Sequence, residues 1–268
     1  MATVAPKLQT RWRAASPVRR AFAGQLSRWT LSIVLFFVIW EIIGQSGVTV
    51  AIVPPSEVLP DLAREIAEGE LLSATLGTLQ LAAVGFVISA AIGLAVGLLM
   101  GLSRPWNDVL DPLVSAMLSA PIAMFIPVIA VYLGLEFKAK VVGVVLFTVF
   151  IIIINTATGI REVPGSGIET ARAFQTSRRR LYTNVIFPFA SPYIITGLRL
   201  AVGRAVEGAI LFELFLRAEN LGLIIRNATG SFDLSELLGA VFFITIIAAG
   251  AMGLARIVEW RLLRWKSY

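Results

Sequence analysis

The sequence predicts an all-α membrane protein with six transmembrane helices, and three observations lead there. The first is composition: 57% of the 268 residues are hydrophobic and only 15% charged, with a mean hydropathy of +0.83. That is too apolar for a soluble domain and too evenly apolar for a single anchor. The second is length. Six apolar runs, about 29–45, 74–102, 112–134, 140–160, 189–216 and 237–260, approach the roughly 20 residues needed to cross a hydrocarbon core of about 30 Å. The third is pattern: the runs are continuous and rich in Gly and Ala, whereas barrel strands alternate with a period of two. No internal repeat and no separate soluble domain is evident, so the expected organisation is an arm over 1–28 and one transmembrane domain over 29–268.

The arm carries Lys7, Arg11, Arg13, Arg19, Arg20 and Arg28 without an acid. Trp12, Phe22 and Trp29 among these cations suit the headgroup region of an anionic leaflet, although a plain basic flank explains them equally well. The first run ends at Glu41 and Gly44-Gln45 without a clear cleavage site, so it reads as a retained helix. The following loop contains Val53-Pro-Pro-Ser-Glu-Val-Leu-Pro60. Pro-Pro forces extended backbone, and Ser56 can cap a short external amphipathic helix with Leu59, Leu62 and Ile66 on one side.

The second run holds Gly77, Gly85, Gly93, Gly97 and Gly101, whose small-xxx-small spacing serves close helix packing. Asp108 and Asp111-Pro112 are expected to close a short turn and begin the third run. Within that run Pro121 and Pro127, flanking Met124, each remove a backbone hydrogen bond, which predicts a bent helix. The bend is either architectural or the wall of a cavity. The fifth run carries Arg199, Arg204, Glu207 and Glu213. A charge at that depth costs at least ~2.5 kcal/mol and must face protein, water or a partner charge. Arg204 and Glu207, three apart, can meet on one helix face, either as a structural ion pair or as a polar element of a solute path.

Charge sets the orientation. The 161–180 loop holds Arg161, Arg172, Arg178, Arg179 and Arg180, and the C-terminus Arg256, Arg261, Arg264 and Lys266. The 46–72 loop holds Arg64 against Glu57, Asp61, Glu65, Glu68 and Glu70; Lys138, Lys140, Arg217 and Arg226 count the other way but are outnumbered. The positive-inside rule then puts both termini and the 161–180 loop in the cytoplasm. The net charge of +6 is explained by this topology, and no basic face with interleaved aromatics suggests nucleic acid. The absence of Cys and His excludes disulfides, thiolate metal sites and the commonest general base, so no catalytic residue and no metal site is expected.

Between the fourth and fifth runs lies a polar helical stretch, Glu169 to Pro188, with Thr170, Ala171, Phe174, Gln175, Arg178 and Tyr182. Its spacing resembles the cytoplasmic "EAA" loop of ABC-importer permeases. Glu169, Ala171, Val185 and Pro188 match that pattern; Thr170 and Phe187 depart from it, and Gln175 stands where the family has Gly. Further stretches resemble the branch that imports sulfonates, taurine, nitrate and related anions: Val53–Leu59, Met100-Gly-Leu-Ser, Leu110-Asp-Pro-Leu, Asn155-Thr-x-Thr-Gly-Ile-Arg161, Pro192–Arg199 and Gly203-Arg-Ala. The resemblance runs from residue 53 to the C-terminus. It implies a type I importer permease of the bacterial inner membrane, working as a homodimer and not itself an enzyme. Two cytoplasmic ATPases, which bind the ATP and Mg, would grip short coupling helices in the 161–188 loop, and an extracytoplasmic binding protein would deliver a small polar solute. Pro121, Met124, Asn155, Arg199, Arg204, Glu207 and Glu213 are the candidates for its path. The chain has no Gly-x-x-x-x-Gly-Lys-Ser/Thr phosphate loop of its own. The extra carboxylate of Glu207, where relatives are usually apolar, speaks against a simple small anion as cargo. Two other classes compete, a secondary transporter and a membrane assembly protein without cargo. The first would show paired broken helices in inverted repeats, and none is visible.

Overall fold

The computed structural model describes residues 17–47 and 52–263, without the side chains of 17–27 and 29. Trp12, Phe22, Trp29 and the arm's cations other than Arg28, like Arg264 and Lys266, therefore lie outside the described side chains. Every regular element among the described residues is helical: α1 (Pro17–Gln45), α2 (Pro55–Glu68), α3 (Glu70–Leu102), α4 (Arg104–Ser119), α5 (Ile126–Leu133), α6 (Phe137–Arg161), α7 (Gly165–Ala173), α8 (Arg178–Leu181), α9 (Phe187–Phe215), α10 (Asn220–Ser231) and α11 (Leu234–Leu262). The chain packs as two units, Met1–Val58 and Leu59–Tyr268.

In the first unit, the helix that begins at Pro17 runs without a break into the apolar run, so residues 17–28 are its first turns. Its strongly apolar part, Thr30–Gln45, is shorter than a full span. The charge that interrupts its end has a structural use. Glu41 accepts hydrogen bonds from the Ser56 backbone N–H (3.1 Å) and the Ser56 hydroxyl (2.6 Å). The start of α2 is thus capped by a carboxylate from α1, which the helix dipole favours. Ser56 was expected to be the cap, but the helix begins one residue earlier, at Pro55, and Ser56 spends its hydroxyl on Glu41. Trp40 donates its indole N–H to the Val53 carbonyl at 3.0 Å, closing the loop onto the helix.

The second unit is organised by α3, α6 and α9. Gly69, at φ +82°, turns the chain into α3; only glycine reaches that conformation freely. Helices α3 and α6 then run parallel in one register. Gly85 faces Val144, Gly93 faces Ile152, Gly97 faces Thr156 and Gly101 faces Ile160, and in the layer between the first two, Ser89 and Thr148 share a hydrogen bond. Each α6 residue lies the same distance further along the chain, and the layers recur every four residues. A groove of small residues on α3 therefore receives a ridge of branched side chains on α6, the close packing that substitutes for hydrophobic driving force in lipid. A Cβ at Gly93 would stand 2.7 Å from the Ile152 Cβ. Helix α9 packs antiparallel on α6, with Gly197 on Asn155 and Phe212 on Gly143, and Met252 of α11 packs on Gly203 of α9.

This packing decides how the chain crosses between α3 and α6. Two parallel neighbours require the intervening segment, 103–136, to return across the bundle. That segment was expected to be a helix over 112–134 with a bend. Instead α4 begins at Arg104, with Pro105 in its first turn and Pro112 accommodated inside it, so no turn forms at Asp108–Asp111. The helix ends before Pro121, a 3₁₀ turn covers Ile122–Phe125, and Pro127 sits in the first turn of α5. The two halves meet at 94°. Pro121 breaks the helix outright, because its missing N–H falls where the α-helix would need one, whereas Pro127 occupies a position whose N–H is free in any case. Among the described residues four helices, α3, α6, the continuous 178–215 segment and α11, are long and apolar enough to cross a membrane, and the broken pair, taken as one span, makes a fifth.

The same topology separates charge. The α3 and α6 C-termini, the α7–α8 loop and the end of α11 gather Arg104, Arg161, Arg172, Arg178–Arg180, Arg256 and Arg261 at one end of this unit. There Arg161 donates to the Asn107 side-chain oxygen, joining α6 to α4. The other end holds Asp61, Glu65, Glu68, Glu70, Glu136, Glu219, Asp233 and Glu236. Burial, reinforced by the charge of Glu236, raises the Glu65 carboxyl above the usual range. Two of the basic residues at this acidic end are paired: Lys140, buried, donates to Glu219 at 2.7 Å, and Arg217 contacts Glu136 at 3.0 Å and Glu219 at 3.3 Å. On α2, Leu62 is buried in the packing while Leu59 and Ile66 remain exposed on the outer surface of the helix, so of the expected Leu59/Leu62/Ile66 side only Leu62 packs inward.

Candidate functional site

The break between α4 and α5 leaves space. A cavity of about 460 Å³ lies against it, walled by Met117 and Pro121 from the broken segment, Phe147 and Phe150 from α6, and Arg204, Glu207 and Leu211 from α9. Among the described residues the wall is apolar except for one cation and one anion. Arg204 Nη1 and Glu207 Oε2 are 3.4 Å apart, a loose single contact, and both side chains are about half accessible. The Arg204 guanidinium also stands over the Phe147 ring, 5.6 Å from its centre, within cation–π range. The expected Arg204–Glu207 pair therefore forms, and of the proline pair it is Pro121 that lines the cavity.

The other path candidates do not join them. Met124 is exposed and Asn155 donates to the Ile151 carbonyl of its own helix while packing on Gly197. Arg199 Nε lies 3.1 Å from Glu259 Oε2 of α11, a charge contact in which Thr196 also donates to Glu259 at 3.2 Å. Glu213 is fully buried in the helix packing, where its carboxylate accepts from Thr78 and from the Asn220 amide, each at 2.7 Å. Sequence reasoning did not find Phe147, Phe150, Thr78, Asn220 or Glu259. The only signal was indirect: Gly208 and Gly77 mark places where Phe147 and Asn220 come close, but a glycine says that something approaches, not what.

At the basic end, the loop between α6 and α9 is a compact helical hairpin. Helix α7 starts at Gly165, so Glu169 lies in its second turn and not at its start, and the helix dipole does not act on it as expected. Thr170 donates back to the Ser166 carbonyl. The turn at Gln175 takes φ +52°, the left-handed region in which glycine is at ease and other residues pay about 1–2 kcal/mol. Gln175 thus holds a conformation that glycine enters freely. Helix α8 continues through a π-helical turn, Tyr182–Ile186, into α9, where Pro188 sits in the first turn. Leu181 packs inward with Ile160, Val163, Ile186 and Ala190. Phe174 points away, 81% exposed, and Tyr182 is half-exposed.

Residues 89–262 match the family described as binding-protein-dependent transport system inner membrane component. The chain belongs to this family. The bicarbonate transport system permease protein CmpB of Synechococcus elongatus is 33% identical over 244 residues, covering 86% of this chain and 85% of CmpB. SsuC of Bacillus subtilis, named as an aliphatic sulfonates transport permease, is 28% identical over 231 residues, 85% and 84% of the two chains. In three dimensions, a chain of the MetNI methionine ABC transporter, solved in inward-facing conformations, superposes with a TM-score of 0.62 at 20% identity, covering 76% of this chain and 99% of that one. The chain is a multi-pass permease subunit of an ABC importer, of the branch that includes the sulfonate and bicarbonate permeases.

Proposed function

We propose that this permease forms a homodimer whose central path carries a small polar solute into the cell, delivered by an extracytoplasmic binding protein and driven by two cytoplasmic ATPase subunits that hold the ATP and Mg. The basic end is cytoplasmic on the positive-inside rule. The α7–α8 hairpin is the coupling element, and its exposed Phe174 is the observation that carries the assignment. A largely exposed aromatic at the tip of a polar helical hairpin, not packed against the core of the described residues, suits a groove on a soluble subunit. Arg178, Arg179 and Arg180 beside it supply a charged rim. Because the hairpin joins α6 to α9, a push on it tilts both helices that wall the cavity, which links ATPase closure to the solute path.

The test is reconstitution of the permease with its ATPase and binding protein. Phe174→Ala is expected to leave insertion and dimerisation intact and to reduce ATPase association tenfold or more, the loss of a buried aromatic anchor being worth about 2 kcal/mol or more. Glu169→Lys, on the outer face of α7, is expected to reduce substrate-stimulated hydrolysis. Undiminished uptake with the ATPase still bound to both variants would show that the hairpin is not the coupling element.

A further inference from the structure

We propose that the cavity beside the α4–α5 break accepts an organic zwitterion with an apolar or aromatic body, and not a simple inorganic anion. This rests on the reading of the chain as an importer permease and concerns only what passes through it.

Charge balance carries the proposal. Among the described residues, Arg204 and Glu207 are the only charged ones in the cavity wall, and they face each other across 3.4 Å. A lone anion that takes Arg204 from Glu207 leaves the Glu207 carboxylate, about half accessible, without its partner beside the apolar wall of Phe147 and Phe150. A solute bearing both charges avoids this: its anion takes the guanidinium, its cation takes the carboxylate, and every charge keeps a partner. The contact between the two side chains is long and single, so the guanidinium retains free donors in its planar fork for a carboxylate or sulfonate. Size and lining agree. A cavity of about 460 Å³ falls in the range of small-molecule sites of roughly 300–1,000 Å³, far more than nitrate or bicarbonate fills. The Phe147 ring already carries the Arg204 cation on its face, and Phe150 offers a second apolar surface to the body of the solute.

Matched probes separate the charge pattern from size. Taurine is compared with 1-propanesulfonate, and 4-(aminomethyl)benzoate with 4-ethylbenzoate, each pair differing in the replacement of an ammonium by a methyl group. Binding to the full-length permease in lipid nanodiscs is measured by saturation-transfer NMR titration. The zwitterion of each pair is expected to bind about tenfold tighter or more, and Glu207→Gln is expected to abolish that preference while leaving anion binding in place. Phe150→Ala, which leaves both charges alone, is expected to weaken the benzoate zwitterion and to spare taurine. Equal binding within the pairs, or a preference that survives Glu207→Gln, overturns the proposal. So does the absence of binding by every probe to a permease that still assembles with its ATPase and supports uptake, an outcome that leaves the importer reading intact. Loss of ATPase assembly by the wild-type chain would instead remove the importer reading itself.

Discussion

At the scale of single residues, the informative positions are those where a side chain occupies a place that another type would fill with less strain. Gln175 is the clearest. Its φ of +52° belongs to the region that glycine enters freely, and it stands where the family's loop pattern has glycine. Gln175→Gly relieves the left-handed strain but adds backbone freedom to the unfolded chain, and these effects oppose each other. The strain of about 1–2 kcal/mol outweighs an entropy change of about 0.4–1 kcal/mol, so the variant is expected to be more stable by up to about 1 kcal/mol. Gln175→Ala keeps the strain and is expected to gain nothing. Thermal unfolding of the two variants in the same detergent checks the pair; a less stable glycine variant would mean that the glutamine side chain has a role of its own. The sequence marked this position as a departure from pattern, but it could not show that the glutamine would take up a left-handed conformation. Glu213 is the opposite lesson. Its charge in an apolar run made it look like a path residue, and what places it in the packing is the hydrogen bonds from Thr78 and Asn220, which are distant in sequence or across a turn.

At the scale of elements, the α3–α6 pair sets the frame. The glycines of α3 were legible as packing residues because small-xxx-small spacing has a single structural use in lipid. Their partner was not legible, since nothing local says which helix supplies the ridge or whether it runs parallel. The broken third run shows the same limit: two prolines announce distortion, but whether each kinks or ends a helix depends on the N–H it removes, and that depends on where the helix starts. The register makes a sharp prediction. Gly93→Ala places a Cβ 2.7 Å from the Ile152 Cβ and 3.2 Å from the Val149 carbonyl, so the helices must separate, at an expected cost of about 1–3 kcal/mol. Gly250, on α11, has nothing within 4 Å of such a Cβ, and Gly250→Ala is expected to be neutral or to stabilise by up to about 1 kcal/mol through helix propensity. Folded yield and melting temperature of the two variants provide the comparison. Equal behaviour would mean that α3 and α6 do not meet along this face.

At the scale of the whole molecule, the separation of charge between the two ends is what composition alone could foretell, and the topology explains its exceptions. Lys140 and Arg217 counted against the positive-inside pattern, yet both are held by Glu219 and Glu136 and present little free charge to a membrane surface. The crossing number depends on a point the sequence left open. Because α3 and α6 are parallel, the broken α4–α5 pair must carry the chain from the basic end to the acidic end. If it dipped into the membrane and returned, α6 would run the other way and the glycine register would be lost. Single cysteines read this directly, since the native chain has none. Asp108→Cys, near the start of α4, and Ser177→Cys, in the hairpin, are expected to react with an impermeant maleimide only after the cells are permeabilised. Lys138→Cys, at the start of α6, is expected to react in intact cells. All three positions are exposed in the chain, so accessibility reports the side of the membrane and not local burial. Inverted labelling of all three would reverse the orientation while preserving the fold. Labelling of Asp108→Cys and Lys138→Cys from the same side would show that the segment between them does not cross, and with it the parallel packing of α3 on α6 would fall.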